Sequence, residues 1–439
     1  MSGRSSRRFR WAGAALVLAM LFGAGHAQTD GPVPFPDVLT LEQALRMLDD
    51  NYPDVMAAQA AIRSAEASLL SISAAHSLRA HVEAEVRQSD RHIPSRTDFI
   101  DDSRMRLIIS KPLADFGLTR TRLDGAGLGL DAAREQHRRI RTDNRLNVIR
   151  AFLEVILSDY AYIVADEDMT LAFLRYDRKL ERMERFEDAN PIEVGELETL
   201  YLDKFAVRMV VGQKRRKSRL RLALVLNRPD AYPDQMVEPD TSAYDRPVPD
   251  YDEILARILD HAPEIRAARL NVESSRKRLE AARMVRPTLG LQLEATGYSE
   301  SYPGSRDDLR ASAFLRIPIY PGVSRDADIA EAAAEVERNK AALGSIEHVL
   351  RMKVLDLVQQ LGSNRTEANA AATELDYRER ELDRIRLEYE LDYRASIGAG
   401  NLNVAKALHR VIRTEYERVL IWEQLDALAG GTLLGADET

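Results

Sequence analysis

The chain contains no cysteine. That excludes a disulfide framework. It also excludes a lipidated N-terminal cysteine as a membrane anchor. Aromatic residues make up 6% of the 439 residues, and only two are tryptophan. With 30% charged residues and a mean hydropathy of −0.33, such a composition suits long solvated helices better than one large compact core. A basic excess is also missing. The net charge of −8 excludes a general nucleic-acid binder, which needs positive charge to displace counterions. Beyond the first residues no stretch is apolar enough for a transmembrane helix, so any entry into a membrane must be made by strands. Proline is absent from the 78 residues between Pro112 and Pro191, and again from everything after Pro321.

The N-terminus reads as an export signal. Arg4, Arg7, Arg8 and Arg10 form a basic opening, Trp11 to Ala24 an apolar run, and Gly25-His26-Ala27 a cleavage site. The apolar run is shorter than the roughly 20 residues that span a bilayer, which disfavours an uncleaved anchor. Removing 1–27 lowers the 62 basic residues to 58 against 70 acids, a mature net charge of −12.

The remainder reads as two similar halves, 28–227 and 251–430, joined by a linker at 228–250 and followed by a tail at 431–439. Glu42 to Val55 aligns with Asp252 to Ile265, so that Leu45 answers Leu255 and Pro53 answers Pro263. Lys111-Pro112-Leu113-Ala114-Asp115-Phe116-Gly117 answers Ile317-Pro318-Ile319-Tyr320-Pro321-Gly322. Five prolines, from Pro229 to Pro249, make the linker extended or irregular. Each half is expected to run helix, strand, strand, very long helix, shorter helix. The leading helices, about 41–77 and 252–285, should break at Pro53 and Pro263. In the second half, positions 329 to 389 taken alternately four and three apart are mostly apolar, a spacing of 3.5 that marks a coiled-coil seam. Leu146, Ile149, Leu153, Ile156, Tyr160 and Ile163 carry a shorter version. A helix from Ser324 to about Arg394 would be on the order of 100 Å long.

Four segments switch to a period of two: about 80–88, 104–113, 288–298 and 309–319. Val82, Leu107, Leu291, Leu293 and Leu315 lie on their apolar faces. Glu83, Glu85, Arg87, Arg104, Arg106, Gln292, Glu294, Arg310 and Arg316 lie on the polar ones. A soluble sheet with one wet face and a membrane barrel with a wet lumen would both show this alternation. Strand lengths of nine to eleven residues and the polar loops 89–103 and 298–308 favour the barrel. Four strands cannot close one, so copies must share it. Two copies give a filled interior, and three give an open lumen.

With these features in this order, nearly the whole chain resembles the TolC-like outer-membrane efflux proteins. Leu39-Thr40-Leu41-Glu42-Gln43-Ala44-Leu45, Asn51-Tyr52-Pro53 and the turn from Lys111 to Gly117 add to the likeness. The resemblance implies a mostly α protein with a membrane β-barrel: a homotrimer whose twelve strands, four per chain, sit in outer-membrane lipid. It implies a long α-helical periplasmic tunnel. It implies a channel function in tripartite efflux or type I secretion, with a periplasmic adaptor (membrane fusion) protein and an inner-membrane transporter as partners. The strand-to-helix turns would be Pro112 to Gly117 and Pro318 to Gly322. The periplasmic entrance would lie at the hairpin tips, about 188–198 and 396–403, with Gly398, Gly400, Asn401 and Asn403 at the second. The family often has acids after the glycine of the second tip, and this chain lacks them. Glu193, Glu196 and Glu198, around Gly195, are the candidate acids instead, set against a plain reading as helix-start acids that favour the dipole.

Other motifs read blandly. Gly125-Ala126-Gly127-Leu128-Gly129 lacks the dinucleotide spacing and is expected to serve close helix packing or local flexibility. Lys214-Arg215-Arg216-Lys217-Ser218-Arg219 is expected to be a solvated face or a docking patch. The eight histidines form no metal-ligand cluster, and no nucleophile set stands out. The sequence therefore suggests neither enzyme nor cofactor. The competing reading is a soluble periplasmic coiled-coil scaffold or adaptor.

Overall fold

A computed structural model describes residues 38–431 apart from 49, 91–98, 102, 187–189, 230–232, 300–307, 321 and 391–395. The export segment, most of the two strand-connecting loops and the tail from 432 lie outside the described residues.

The first half opens with β1 (Val38–Leu39) and α1 (Leu41–Arg46). The Thr40 hydroxyl accepts from the Gln43 amide, and the Gln43 side chain accepts from the Thr40 amide, so two of the helix's orphan donors are satisfied at once. Helix α2 (Pro53–Ser73) starts on a proline whose missing N–H costs nothing at that position. Strand β2 (Arg79–Glu85), a small hairpin of β3 (Gln88–Asp90) and β4 (Phe99–Asp101), and β5 (Arg104–Ala114) follow. Helix α3 (Leu118–Phe186) then runs 69 residues, and α4 (Pro191–Val225), capped by Asn190, returns along it. In the linker, β6 (Gln235–Met236) pairs in parallel with β1. The second half contains α5 (Tyr251–His261), α6 (Pro263–Arg283), β7 (Thr288–Tyr298), β8 (Leu309–Arg316), α7 (Ser324–Glu390) and α8 (Ile397–Ala429). The break expected at Pro263 falls between α5 and α6. The break in the first half comes earlier, at Met47, and α2 begins at Pro53.

Helix α7 spans 67 residues, about 100 Å. Its buried residues are Val336, Leu350, Val354, Leu357, Leu361, Asn364, Ala371 and Leu382. Every one lies on the four-three seam read from the sequence. Two apolar clusters lie at mid-height. One joins β1, α1, α3, α4 and α8 through Leu39, Ala44, Phe152, Leu153, Leu222 and Tyr416. The other joins α5, α6, α7 and α8 through Ile258, Ile265, Leu350, Val354 and Trp422. The linker is strapped over both. Tyr160 donates to Glu238, Tyr244 donates to Glu423 at 2.7 Å, and Arg418 pairs with Asp245 at 3.2 Å. Burial and the Glu238 carboxylate push the Tyr160 phenol up to about 12.

The four long strands form one antiparallel sheet in the order β2-β5-β7-β8. Two of the expected strand ends are corrected. β2 stops at Glu85, so Arg87 lies outside the four-stranded sheet, its amide bonded to Ser103 Oγ. β8 stops at Arg316, so Ile317 and Ile319 do not extend it; Pro318 has no N–H to offer a ladder. Pro112 lies within β5 beside a register shift, not in the turn that follows. Phe116 (φ 55°) and Gly117 (φ 99°) make that turn, and Gly322 (φ 75°) serves after β8.

At each level the elements stand side by side in a single layer. Above mid-height the packing order is α2, α3, α6, α7. Below it the order is α4, α3, α8, α7. The layer's flanks are β2, α2 and α4 on one side and β8 and α7 on the other.

Candidate functional site

Register places the sequence-read polar residues on one face of the sheet. Glu85 opposes Arg104, Glu83 opposes Arg106, and Arg106 opposes Thr296. Glu294 opposes Arg310, Gln292 opposes Ser312, and Thr288 opposes Arg316. The charges are knitted across strands. Arg104 reaches Glu85 at 2.6 Å, and Arg106 reaches Glu83 at 2.8 Å and Glu294 at 3.7 Å. Arg316 lies over the Phe314 ring at 5.5 Å.

The opposite face carries Val82, Met105, Leu107, Leu291, Leu293, Leu309 and Leu315, and all of them are exposed. Val82 is 61% and Leu309 74% exposed. The side chains of Arg106 and Glu294 are only 26% and 17% exposed. This inverts the usual arrangement, in which charged groups take the water and large aliphatic ones the interior. A contiguous apolar sheet face of this kind marks a surface that something apolar covers.

The strand-to-helix junction after β5 is held by Asp115. It accepts from the Thr119 amide at 2.7 Å and from the Thr119 hydroxyl, and it lies 3.8 Å from His76. Burial works to raise its pKa. The Thr119 bonds, the His76 charge and the Gly117 amide outweigh that and hold the carboxyl below its ordinary value.

At the other end of the molecule are the hairpin tips. Residues 188 and 189 of the first tip lie outside the described residues. Glu193 pairs with Lys179. Glu196 and Glu198 are exposed and form no ion pair among the described residues, and a Cβ at Gly195 would meet open space. In the second tip, Ser396 caps α8 by accepting from the Ala399 amide. Gly398 and Gly400 are packing residues. A Cβ there would lie 3.3 Å from Leu171 of α3 and 2.8 Å from Leu382 of α7 respectively. Asn401 is exposed and Asn403 half-buried.

Sequence reading missed the links that bind the two hairpins. Asp168 of α3 lies between Lys204 of α4 at 2.9 Å and Lys406 of α8 at 3.9 Å. Only proximity in space unites those positions, and no local pattern shows them. The basic run on α4 is more than a solvated face, because Arg215 and Arg219 both bind Asp159 of α3. Of the glycine run at 125–129, Gly125 is a packing site, lying against Lys277 of α6 with its carbonyl accepting from Ser274 at 2.7 Å, whereas a Cβ at Gly127 would meet open space. Among the described residues no acid, histidine or cysteine group could hold a metal, and no helix is long and apolar enough to cross a membrane.

No protein-family model matches the sequence, and neither does any curated protein. Solved structures do match. The Campylobacter jejuni CmeC outer membrane channel is 13% identical with a TM-score of 0.71, over 90% of this chain and 87% of that one. The fold is that of TolC-like outer-membrane channels. The outer membrane protein VceC from Vibrio cholerae is 12% identical with a TM-score of 0.69, over 89% of this chain and 96% of that one. The Neisseria gonorrhoeae MtrE outer membrane channel, solved in its open state, is 14% identical with a TM-score of 0.69, over 90% and 89%. This channel fold thus extends over nearly the whole described chain.

Proposed function

We propose that the chain is one protomer of a homotrimeric outer-membrane channel, exported by a signal cleaved after Ala27 and not lipidated. It would conduct substrates passively from an inner-membrane pump and a periplasmic adaptor to the cell exterior, in a tripartite efflux or type I secretion system. The observation that carries this reading is the two-sided sheet, with its leucines and valines exposed on one face and its ion pairs on the other. Lipid satisfies the first face and a water-filled lumen the second. Three copies supply the closure that four strands lack. In this reading Glu83, Glu85, Arg104, Arg106, Gln292, Glu294, Arg310 and Arg316 line the lumen. The turns at Gly117 and Gly322 join barrel to tunnel, and the tips at Gly195 and Gly398 form the entrance. Adaptor binding would bias the tips between closed and open states.

The test is membrane extraction followed by planar-bilayer recording. The channel should resist carbonate, require detergent, run as a heat-sensitive oligomer and conduct ions. A soluble scaffold would wash off with carbonate and leave the bilayer silent, which would overturn the proposal. At the entrance, Glu196 and Glu198 carry charge that no ion pair among the described residues offsets. Glu196→Ala should weaken block of the open channel by divalent cations. Unchanged block would leave these acids as ordinary helix-start residues that favour the dipole.

A further inference from the structure

The polar face of the sheet sorts its charges by height. The inference rests on the reading above that this face lines a lumen. The long helices leave one end of the sheet, so its rungs can be ordered outward from them. Thr288 and Arg316 form the rung nearest the helices, and Pro112, Gly290 and Phe314 the next. Arg79, Ser110, Gln292 and Ser312 follow, then His81, Ile108, Glu294 and Arg310. These four rungs hold three arginines and one acid, a net charge of 3 − 1 = +2 with histidine neutral. The outer rungs differ. There Glu83 and Glu85 face Arg106 and Arg104, and Asp308 continues the ladder through its carbonyl, which accepts from the Thr296 amide. Acids in that half at least balance the arginines. The chain as a whole carries −8, so a basic girdle at the helix end of the sheet runs against its composition.

One of these cations is held in place. Gly290 opposes Phe314, and a Cβ at Gly290 would lie 2.7 Å from the tip of the Phe314 ring. The glycine thus makes room for the ring to lie across the neighbouring strand. Arg316 sits over that ring at 5.5 Å, within reach of the attraction between a guanidinium and an aromatic face. A guanidinium steadied in this way keeps its planar fork of donors for an oxyanion. Arg79, Arg310 and Arg316 are all exposed, whereas the side chain of Glu294 is 17% exposed. A girdle that served structure alone would bury its arginines among acids, as Arg106 is buried between Glu83 and Glu294. Here the acid is withdrawn and the arginines reach water. Arg310 opposes Glu294 and offsets it, so the excess charge is that of Arg79 and Arg316.

We infer that the girdle is an anion-binding ring at the inner mouth of the barrel, and that the channel favours solutes carrying several negative charges. Rings of arginine are a means by which pores select anions and phosphates. Charge of one sign on the walls of a narrow passage concentrates counter-ions about tenfold or more. The full-length protein is inserted into planar bilayers, and tripolyphosphate is added on the barrel side, where it meets the girdle without passing the helical tips. It should block the wild-type current. Arg79→Gln with Arg316→Gln, which removes the excess charge, should raise the blocking concentration about tenfold. The same pair should move the reversal potential in a salt gradient toward cation selectivity. Arg79→Lys with Arg316→Lys, which keeps the charge, should keep the block. Either single glutamine variant should give a smaller shift in the same direction, and serves if the pair inserts no channels. A wild-type channel that conducts and is not blocked would overturn the inference and leave the channel reading intact. So would block that survives the glutamine substitutions, or that the lysine pair loses equally. If the wild type conducts nothing, the channel reading fails and the inference with it.

Discussion

Single residues matter most where two periods meet. Asp115 lies where the strand's period of two gives way to the helix's 3.6, and its carboxylate satisfies a donor at the start of α3. Its pKa is lower in the folded chain than in the unfolded one. A depressed carboxylate contributes stability in full above the unfolded value of about 4 and loses it as the pH falls toward the folded value. Asp115→Asn should therefore cost about 1 kcal/mol at neutral pH. The difference from the wild type should shrink below about pH 4. Thermal melts at pH 7 and pH 3.5 check this, and an equal deficit at both would rule out the carboxylate charge as the cause. Other sites are legible in the sequence by type and not by partner. The arginines of α4 stand out as a basic run. Their shared contact, Asp159, lies 56 residues before Arg215 and is joined to it only by the antiparallel return of the chain.

Among the elements, the long helices were the most legible. The α7 seam repeats often enough that local exceptions do not obscure it, and even buried Asn364 keeps its place there, donating to the Thr414 carbonyl at 2.9 Å. Strand ends were less legible, because alternation continues past the point where pairing stops. Val86 and Arg87 still alternate after β2 has left the sheet, and Ile317 and Ile319 alternate across Pro318. The glycines of the second tip were visible as residues, but not as packing sites, because their neighbours belong to other helices. Gly400 lets the start of α8 lie directly on Leu382 and Ile385. Gly400→Val should force α8 away from α7 at a cost of about 1–3 kcal/mol. If the tips are the gate, single-channel recordings of that variant should show a higher open probability. A destabilised variant with unchanged gating would confine Gly400 to packing.

For the whole molecule, shape follows from a shortage of core. The deepest burial is concentrated in two clusters at mid-height, and above and below them the chain is one layer thick. Such a layer cannot bury both of its faces alone. Its flanks, β2 with α2 and α4 against β8 with α7, call for head-to-tail copies, and a rotation that closes makes a tube. The long span was readable from periodicity. Which sheet face meets lipid was not, because a wet soluble sheet and a barrel wall share the same alternation. The exposure of the apolar face in three dimensions is what favours the proposed barrel wall. The most direct test reads that face in place. Single cysteines at Leu293 and Gln292, neighbours on β7 that point opposite ways, are introduced into the cysteine-free chain in proteoliposomes. A membrane-impermeant maleimide should modify Gln292→Cys and leave Leu293→Cys untouched. Rapid modification of both, or of Leu293→Cys alone, would contradict a lipid-facing wall with a water-filled interior.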